Sequence, residues 1–434
     1  MRELIGSIAI FCLSCCPTTA QDWTARQCMN YAVTHNTQVR QAELALDNYK
    51  ASRLEAIGSF LPSASAGVDV QYNFGRAIDP ETNGYTDVST FYNGYYAQVS
   101  LPVFDGFSRI HALKAAKASI LMGHHALREQ QDQTALATLQ AWVNAVYYEG
   151  MVAMVEEKQR ETSLLLRQTE VMVEVGRKSR ADLAQIEAQQ AEAEYELTHQ
   201  RNLLASALLD LKKNMRYPLS DSIHCMVGQW QTDSVLALSL QVDAHPSVMQ
   251  QYHAVETKRQ EWLKTRSSLF PSLALGAGLG TTFYKTLHSQ TATAFHEQLR
   301  NNMGEYVTAS LSIPLFNRLQ TLTSMRRAKN NYLTAREVYE EKRLELEKLR
   351  REAWQDMVAY QKQTQQMKKK VEADGLAYQL TRRQYEEGLS TAIDVHTTST
   401  QLLQSKATLL QCRLMAHLKH ELVRYYNGET IWTE

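Results

Sequence analysis

The sequence has no long apolar run, no excess of charge of either sign and little cysteine. A helix that crosses a membrane needs about 18 or more consecutive apolar residues, so no transmembrane helix is predicted. Lys and Arg together number 46, as do Asp and Glu. This balance gives no general attraction to nucleic acid or to an acidic membrane surface. No low-complexity tract interrupts the 434 residues, which are enough for two or more ordinary domains.

The six cysteines do not indicate a disulfide framework. Three of them lie within the first 16 residues, and the other three are far apart and odd in number. No Cys-x-x-Cys pair is present to suggest a redox or metal site. We therefore expect Cys28, Cys225 and Cys412 to be buried free thiols.

The sequence also lacks a recognisable catalytic or metal-binding arrangement. No nucleophile is followed by a base at a spacing that indicates an enzyme. The glycines of residues 276–280 alternate within a predicted strand, which favours close backbone packing over a dinucleotide loop. His417 and His420 are three residues apart on a helix, but no third ligand lies near them in sequence. We predict no catalysis, no cofactor and no metal.

The N-terminus predicts export. An apolar stretch from Leu4 to Leu13 is followed by Thr18-Thr19-Ala20, which is typical of a signal peptide cleaved after residue 20. Cys15 and Cys16 leave open a lipoprotein that is cleaved before one of them. A buried N-terminal helix is a third interpretation, which the length and flanks of the stretch disfavour.

The chain repeats itself across half its length. Gly176 is followed six residues later by Asp182, and Gly388 is followed six residues later by Asp394, so the two pairs lie 212 positions apart. Phe60–Ser63 is echoed by Leu269–Ser272 at an offset of 209, and Ser100–Phe104 by Ser312–Phe316 at an offset of 212. Anchors in the same order at nearly constant offset indicate a duplicated unit of about 210 residues, far longer than a solenoid repeat.

The first half begins with a predicted helix and two strands. Apolar residues recur at helical spacing from Thr24 to Ser59, and Pro62 ends the helix. Residues 64–74 and 95–103 then alternate between an apolar and a polar face, as strands with two different faces do. Residues 75–90 between them are rich in Gly, Pro, Asn and Asp, which predicts a loop.

A long helical hairpin completes each half. No proline occurs between residues 103 and 217, and the stretch 105–175 would span about 105 Å as one helix. Gly176 ends that helix, and a second runs from about 179 to 215 with Asp182 in its first turn, where a carboxylate suits the helix dipole. The second half repeats the plan with a helix at 246–268, strands at 272–283 and 305–316, a long helix at 318–387, a tip at Gly388 and a return helix at 390–426.

These elements give the predicted organisation of the chain. It comprises a signal peptide (1–20), a first structural repeat (21–217), a linking segment (218–244), a second repeat (245–427) and a C-terminal tail (428–434). Four strands are too few to close a membrane barrel, which begins at about eight strands, and open sheet edges are not tolerated in lipid. The strands must then be completed by those of other chains, and the long helices must bury their apolar stripes in a coiled-coil-like tube.

The plan resembles the TolC-type outer-membrane efflux family over nearly the whole mature chain. The residues that carry the resemblance are Phe60–Ser63 with its repeat, the Leu101–Gly106 entry into the long helix, and the two tips. The resemblance implies a mostly α fold with β, in which duplicated strand pairs and long helical hairpins form a homotrimer. Its 12-strand β-barrel lies in the lipid of a Gram-negative outer membrane and continues as a 12-helix α-barrel across the periplasm. A periplasmic adaptor and an inner-membrane RND or ABC transporter are the implied partners, without nucleic acid.

The resemblance also implies roles for the tip residues. The family closes its inner mouth with the second-half tip, where Asp394 matches an acidic ring position. Thr397 stands where a second acid is common and Ser390 where an arginine is common. The closed state is therefore expected to be weaker than in the family, or to be held by other groups such as His396. The adaptor is expected to dock at the tips, at positions Gly176, Arg177, Lys178, Asp182, Gly388 and Leu389. The alternative for Asp182 and Asp394 is plain helix capping.

Two other functions stay open at this stage. The same fold can serve type I protein secretion, because a tunnel wall carries little cargo chemistry. A periplasmic coiled-coil protein without a pore would need no lipid-facing alternation, which argues against it. The genomic neighbourhood would separate efflux from secretion.

Overall fold

The computed structural model describes residues 21–78, 83–87, 89–226, 236, 242–287 and 293–433. The predicted signal peptide, with the choice between ordinary cleavage and lipidation at Cys15 or Cys16, lies outside these ranges. The described chain is mostly helical with some sheet, as predicted. No helix in these ranges is long and apolar enough to cross a membrane.

The elements follow the predicted order, with additions in the loops. In chain order they are β1 (Gln21–Trp23), α1 (Ala25–His35), α2 (Thr37–Gly58), β2 (Ser63–Asn73), β3 (Arg76–Ile78), β4 (Tyr85–Asp87), β5 (Thr90–Phe104), α3 (Ser108–Glu174), α4 (Arg180–Met215), β6 (Ile223–Cys225), α5 (Pro246–Ser267), β7 (Ser272–Thr286), α6 (Phe295–Asn301), β8 (Gly304–Ser312), α7 (Gln320–Glu386) and α8 (Ala392–Tyr426).

The single N-terminal helix predicted for residues 24–59 is wrong, because it is broken at Asn36. The backbone of Asn36 is extended, with φ −67° and ψ 138°. Its side-chain oxygen accepts a hydrogen bond from the Gln38 backbone N–H at 2.7 Å, and its side-chain amide donates to the Asn214 carbonyl at 2.9 Å. An asparagine that bonds local backbone in this way competes with the helix, so α1 ends and α2 begins there.

The chain divides into two compact units, each built from parts of both predicted repeats. Among the described residues, the first combines those within 21–41, 128–245 and 345–433, and the second combines those within 42–127 and 246–344. The two units are defined by their internal contacts and do not coincide with the two repeats. The repeat boundaries therefore stay a prediction.

The second unit contains a four-stranded antiparallel sheet in the order β2-β5-β7-β8. The alternation predicted from sequence holds across the pairs: polar Ser65 lies opposite Gln98, while Ala66 lies opposite Ala97. The predicted loop at 75–90 and the segment that connects β7 to β8 both contain structure. The segment 75–90 holds the β3–β4 hairpin, and the segment after β7 holds helix α6. Both additions are too short to show a reliable sequence period.

The first unit carries the main buried core. Strands β1 and β6 pair in parallel, and the Trp142 indole N–H donates to the Trp23 carbonyl at 3.2 Å. The C-terminal segment packs on α3, where the Trp432 indole N–H donates to Asp132 Oδ1 at 2.9 Å and Ile431 is fully buried. The predicted buried free thiols at 28, 225 and 412 are confirmed.

Candidate functional site

The first hairpin tip ends helix α3 with a left-handed glycine. Gly176 has φ +75°, a conformation that an L side chain rarely adopts. The Arg177 N–H donates to the Met172 carbonyl at 2.7 Å, and the Gly176 N–H donates to the Val173 carbonyl at 3.0 Å. These two bonds are the pair that defines a Schellman motif, so the tip is a fixed helix end.

The second tip has the same geometry. Gly388 has φ +83°, the Leu389 N–H donates to the Gln384 carbonyl at 2.7 Å, and the Gly388 N–H donates to the Tyr385 carbonyl at 3.0 Å. A Cβ added at Gly388 would meet nothing within 4 Å. Glycine is therefore required here by its backbone angle and not by a neighbour in its own chain.

The two predicted acids occupy the third helical position and not the N-cap. Ser179 and Thr391 are the N-caps of α4 and α8. Each cap hydroxyl accepts from the backbone N–H of its acid, Asp182 or Asp394, and each carboxylate accepts from the cap backbone in return. This reciprocal arrangement is a capping box, which the expectation of plain N-capping misplaced by three residues.

Asp394 gathers more donors than Asp182. Its Oδ2 accepts from the Thr391 N–H at 2.9 Å, from the Thr391 hydroxyl at 2.7 Å and from the Ser390 hydroxyl at 3.0 Å. These bonds favour the ionised form and lower the pKa of Asp394 below its usual value. The carboxylate is solvent-exposed, so the tip presents a fixed negative charge.

Three of the four predicted constriction residues lie on α8, on two of its faces, and Ser390 directly precedes the N-cap of that helix. Asp394 and Thr397 are exposed and three residues apart, which places them on one helical face. Ser390 joins them through its bond to Asp394. His396 is half-buried on another face, with its Nε2 3.9 Å from Glu192 Oε2 on α4. The structure therefore groups three of the four.

The two tips contact each other through Lys178. Its Nζ lies 3.8 Å from the centroid of the Tyr385 ring and donates to the Ser390 carbonyl at 3.4 Å. This is a cation–π contact combined with a hydrogen bond. Lys178, which was predicted as part of the docking surface, therefore holds the second tip, whereas Arg177 beside it and Leu389 are exposed.

A buried cluster beneath the tips contains residues that the sequence analysis did not single out. Tyr385 is fully buried, and its hydroxyl hydrogen-bonds the Thr169 hydroxyl at 3.1 Å. Burial raises the pKa of Tyr385. Nearby, the Tyr378 hydroxyl donates to Glu161 at 2.9 Å, and burial together with that carboxylate raises the pKa of Tyr378 to about 12. The sequence carries one signal for Tyr385: the equivalent position of the first repeat, 212 residues earlier, is Val173, so the two repeats differ here.

The site offers a fixed charge and a rigid turn. In the part of the chain that the structure describes, no group of three or more His, Cys, Asp or Glu could hold a metal ion. An exposed carboxylate on a stiff helix start can act on passing ions, particularly when copies of it form a ring.

A family model for outer membrane efflux proteins matches residues 237–420. No curated protein sequence gives a significant match to the chain.

Solved channel structures share the fold. CusC matches with a TM-score of 0.82 at 15% identity, over 95% of this chain and 94% of CusC. The Campylobacter jejuni outer membrane channel CmeC also gives a TM-score of 0.82, at 14% identity over 93% of this chain and 85% of CmeC. VceC from Vibrio cholerae gives 0.79 at 13% identity, over 94% and 96% of the two chains.

Proposed function

We propose that this chain, whose residues 237–420 match the family model for outer membrane efflux proteins, is the outer-membrane channel subunit of a tripartite export system. It passes small molecules such as drugs, metals or metabolites to the exterior, without catalysis of its own. A periplasmic adaptor and an inner-membrane RND or ABC transporter deliver the cargo. The outer-membrane location predicted from the sequence is that of the family.

The observation that carries this proposal is the open four-stranded sheet. It has one polar and one apolar face, and its outer strands β2 and β8 each have an edge without a partner among the described residues. Bare edges are not tolerated in lipid. Three copies would supply 12 strands and close the barrel, and the hairpins α3–α4 and α7–α8 would supply the 12 helices of the tunnel.

We place the mouth of this channel at the second tip. In a trimer Asp394 would form a ring of three charges, with Ser390 supporting the carboxylate and Thr397 on the same face. Of the four predicted constriction residues, His396 is the least suited to line the pore, because its ring points toward Glu192. The adaptor would dock on the exposed parts of the tips, where Leu389 is 75% exposed.

The experiment that tests this function has two steps. The protein is extracted from outer membranes in mild detergent and its mass is measured, and the same sample is then inserted in planar bilayers. We expect a trimer that conducts ions. A stable monomer that gives no conductance would overturn the proposal.

A further inference from the structure

The duplication preserves strand register as well as sequence. In the first half, Ser63 on β2 lies opposite Ser100 on β5. The sequence anchors of the two halves are offset by 209 and 212 positions. Adding 209 to Ser63 gives Ser272, and adding 212 to Ser100 gives Ser312. These two are the partners observed between β7 and β8. The register of one strand pair therefore predicts the register of its repeat.

The same shift can be applied to the pairing that joins the halves. Within the chain, β5 of the first half pairs with β7 of the second, and Ser100 lies opposite Gly276. Moving Ser100 on by 212 gives Ser312 on β8, and moving Gly276 back by 209 gives Gly67 on β2. Strands β8 and β2 lie at opposite edges of the sheet, so this pairing needs a second copy of the chain.

We propose that β8 of one copy pairs antiparallel with β2 of a second copy, with Ser312 opposite Gly67 and Ser310 opposite Asp69. The proposal rests on the proposed trimeric channel and adds the register of its seam. The partner is a second copy for the following reason. The repeat of β5 is β8 and the repeat of β7 is β2, so the β5–β7 pairing predicts a β8–β2 pairing, and these two strands lie at opposite edges of one chain's sheet.

The length of β8 supports this partner. Strand β5 runs to Phe104 against β7, whereas β8 ends at Ser312. The next residues, 313–316, match Leu101–Phe104 in sequence but form no ladder. Leu315 is 92% exposed and Phe316 is 79% exposed. In the proposed register these residues lie opposite 63–66 of the second copy, which would extend the strand as far as its repeat.

The turn after residues 313–316 has the same backbone conformation as the turn after β5. Gly106 and Phe107 after β5 have φ of +66° and +71°, and Arg318 and Leu319, each 212 positions later, have φ of +53° and +66°. Two consecutive left-handed residues without glycine are uncommon and cost free energy. The second half keeps the backbone of the first even where its glycine is replaced.

The faces of the two strands fit this register. It sets Ser310 against Asp69 on the polar face and Leu311 against Val68 on the apolar face. A shift of one residue would place polar side chains opposite apolar ones along the whole seam. The competing registers are therefore those shifted by two residues, which the test must separate.

The test uses pairs of cysteines that are oxidised with copper phenanthroline in intact outer membranes. Asp69→Cys is combined in turn with Ser310→Cys, Thr308→Cys or Ser312→Cys, three partners on one face of β8. Within one chain, residues 69 and 310 are three strand spacings apart, and this separation across the sheet alone, roughly 14 Å, is too far for a disulfide. Any cross-link must join two copies.

We expect covalent dimers and trimers from the 69/310 pair and several-fold less from the other two pairs, because diagonal neighbours are about 7–8 Å apart. The pair Val68→Cys and Leu311→Cys should also cross-link, and it replaces the first pair if Asp69→Cys fails to assemble. A maximum at 308 or 312, or no cross-link in a conducting trimer, overturns the register and leaves the channel function standing. A chain that forms no trimer at all overturns both.

Discussion

At the scale of single residues, the pKa of Asp394 links the tip to a measurable pH dependence. Hydrogen bonds from Thr391 and Ser390 lower this pKa, so the carboxylate stays ionised as the pH falls through the usual range for aspartate. Its charge is lost only when the pH passes the lowered pKa. We expect the cation selectivity of the open channel to follow this charge and to persist below pH of about 4, the ordinary aspartate value.

Reversal potentials in a salt gradient at decreasing pH check this prediction. Asp394→Asn should lose the selectivity at every pH while its amide oxygen still accepts from the Thr391 N–H. Ser390→Ala removes one of the three donors and should move the midpoint to higher pH. Equal selectivity in wild type and Asp394→Asn would mean that Asp394 only caps α8 and that the mouth lies elsewhere.

Lys178 was expected to dock the adaptor, whereas in the structure it contacts the second tip. Lys178→Met keeps the apolar stem and removes the contact with the Tyr385 ring and the bond to the Ser390 carbonyl. A cation–π contact is worth about 0.5–1 kcal/mol, which corresponds to roughly 2–5-fold in an opening equilibrium. Amide exchange at 388–395 should be faster by that factor. Arg177→Met, at the exposed neighbouring position, is the matched control, and equal exchange in both variants would contradict a specific contact.

At the scale of elements, the tip turn depends on backbone conformation more than on packing. Gly388→Val places a β-branched residue at φ +83° with open space around its Cβ, so the only cost is strain, about 1–2 kcal/mol. We expect a lower Tm in detergent. Gly304→Val is the control, because its Cβ also meets nothing within 4 Å but the glycine lies in a strand, where valine is favoured. Equal Tm values in the two variants would remove strain as the reason for Gly388.

The contrast between local and distant interactions explains how far the sequence predicts these elements. The long helices and both tips were predictable because their signals are local: no proline, one glycine and an acid six residues later. The break at Asn36 was not, since its side chain bonds both the nearby Gln38 N–H and the carbonyl of Asn214, which is 178 positions away. The contact of Lys178 with Tyr385 joins two separate hairpins and has no local signature either. Sequence reasoning found the tip residues and missed the buried tyrosines that position them.

At the scale of the whole molecule, the proposed function fixes a topology across the outer membrane. The β2–β5 and β7–β8 connections should face the cell exterior, and both tips should face the periplasm. Antiparallel strands joined by such a connection send their flanking helices away on the same side. Asn83, in the first connection, and Arg177, at the first tip, are both solvent-exposed and serve as reporters.

We expect a membrane-impermeant maleimide to label Asn83→Cys in intact cells and to label Arg177→Cys only after the outer membrane is permeabilised. The native thiols at 28, 225 and 412 are buried. Burial raises the pKa of Cys28 and raises the pKa of Cys225 to about 12. Because the thiolate is the reactive form, these cysteines should give little background. Wild-type cells measure that background directly. Labelling of Arg177→Cys in intact cells, with Asn83→Cys protected, would reverse the topology and separate the tips from any periplasmic adaptor.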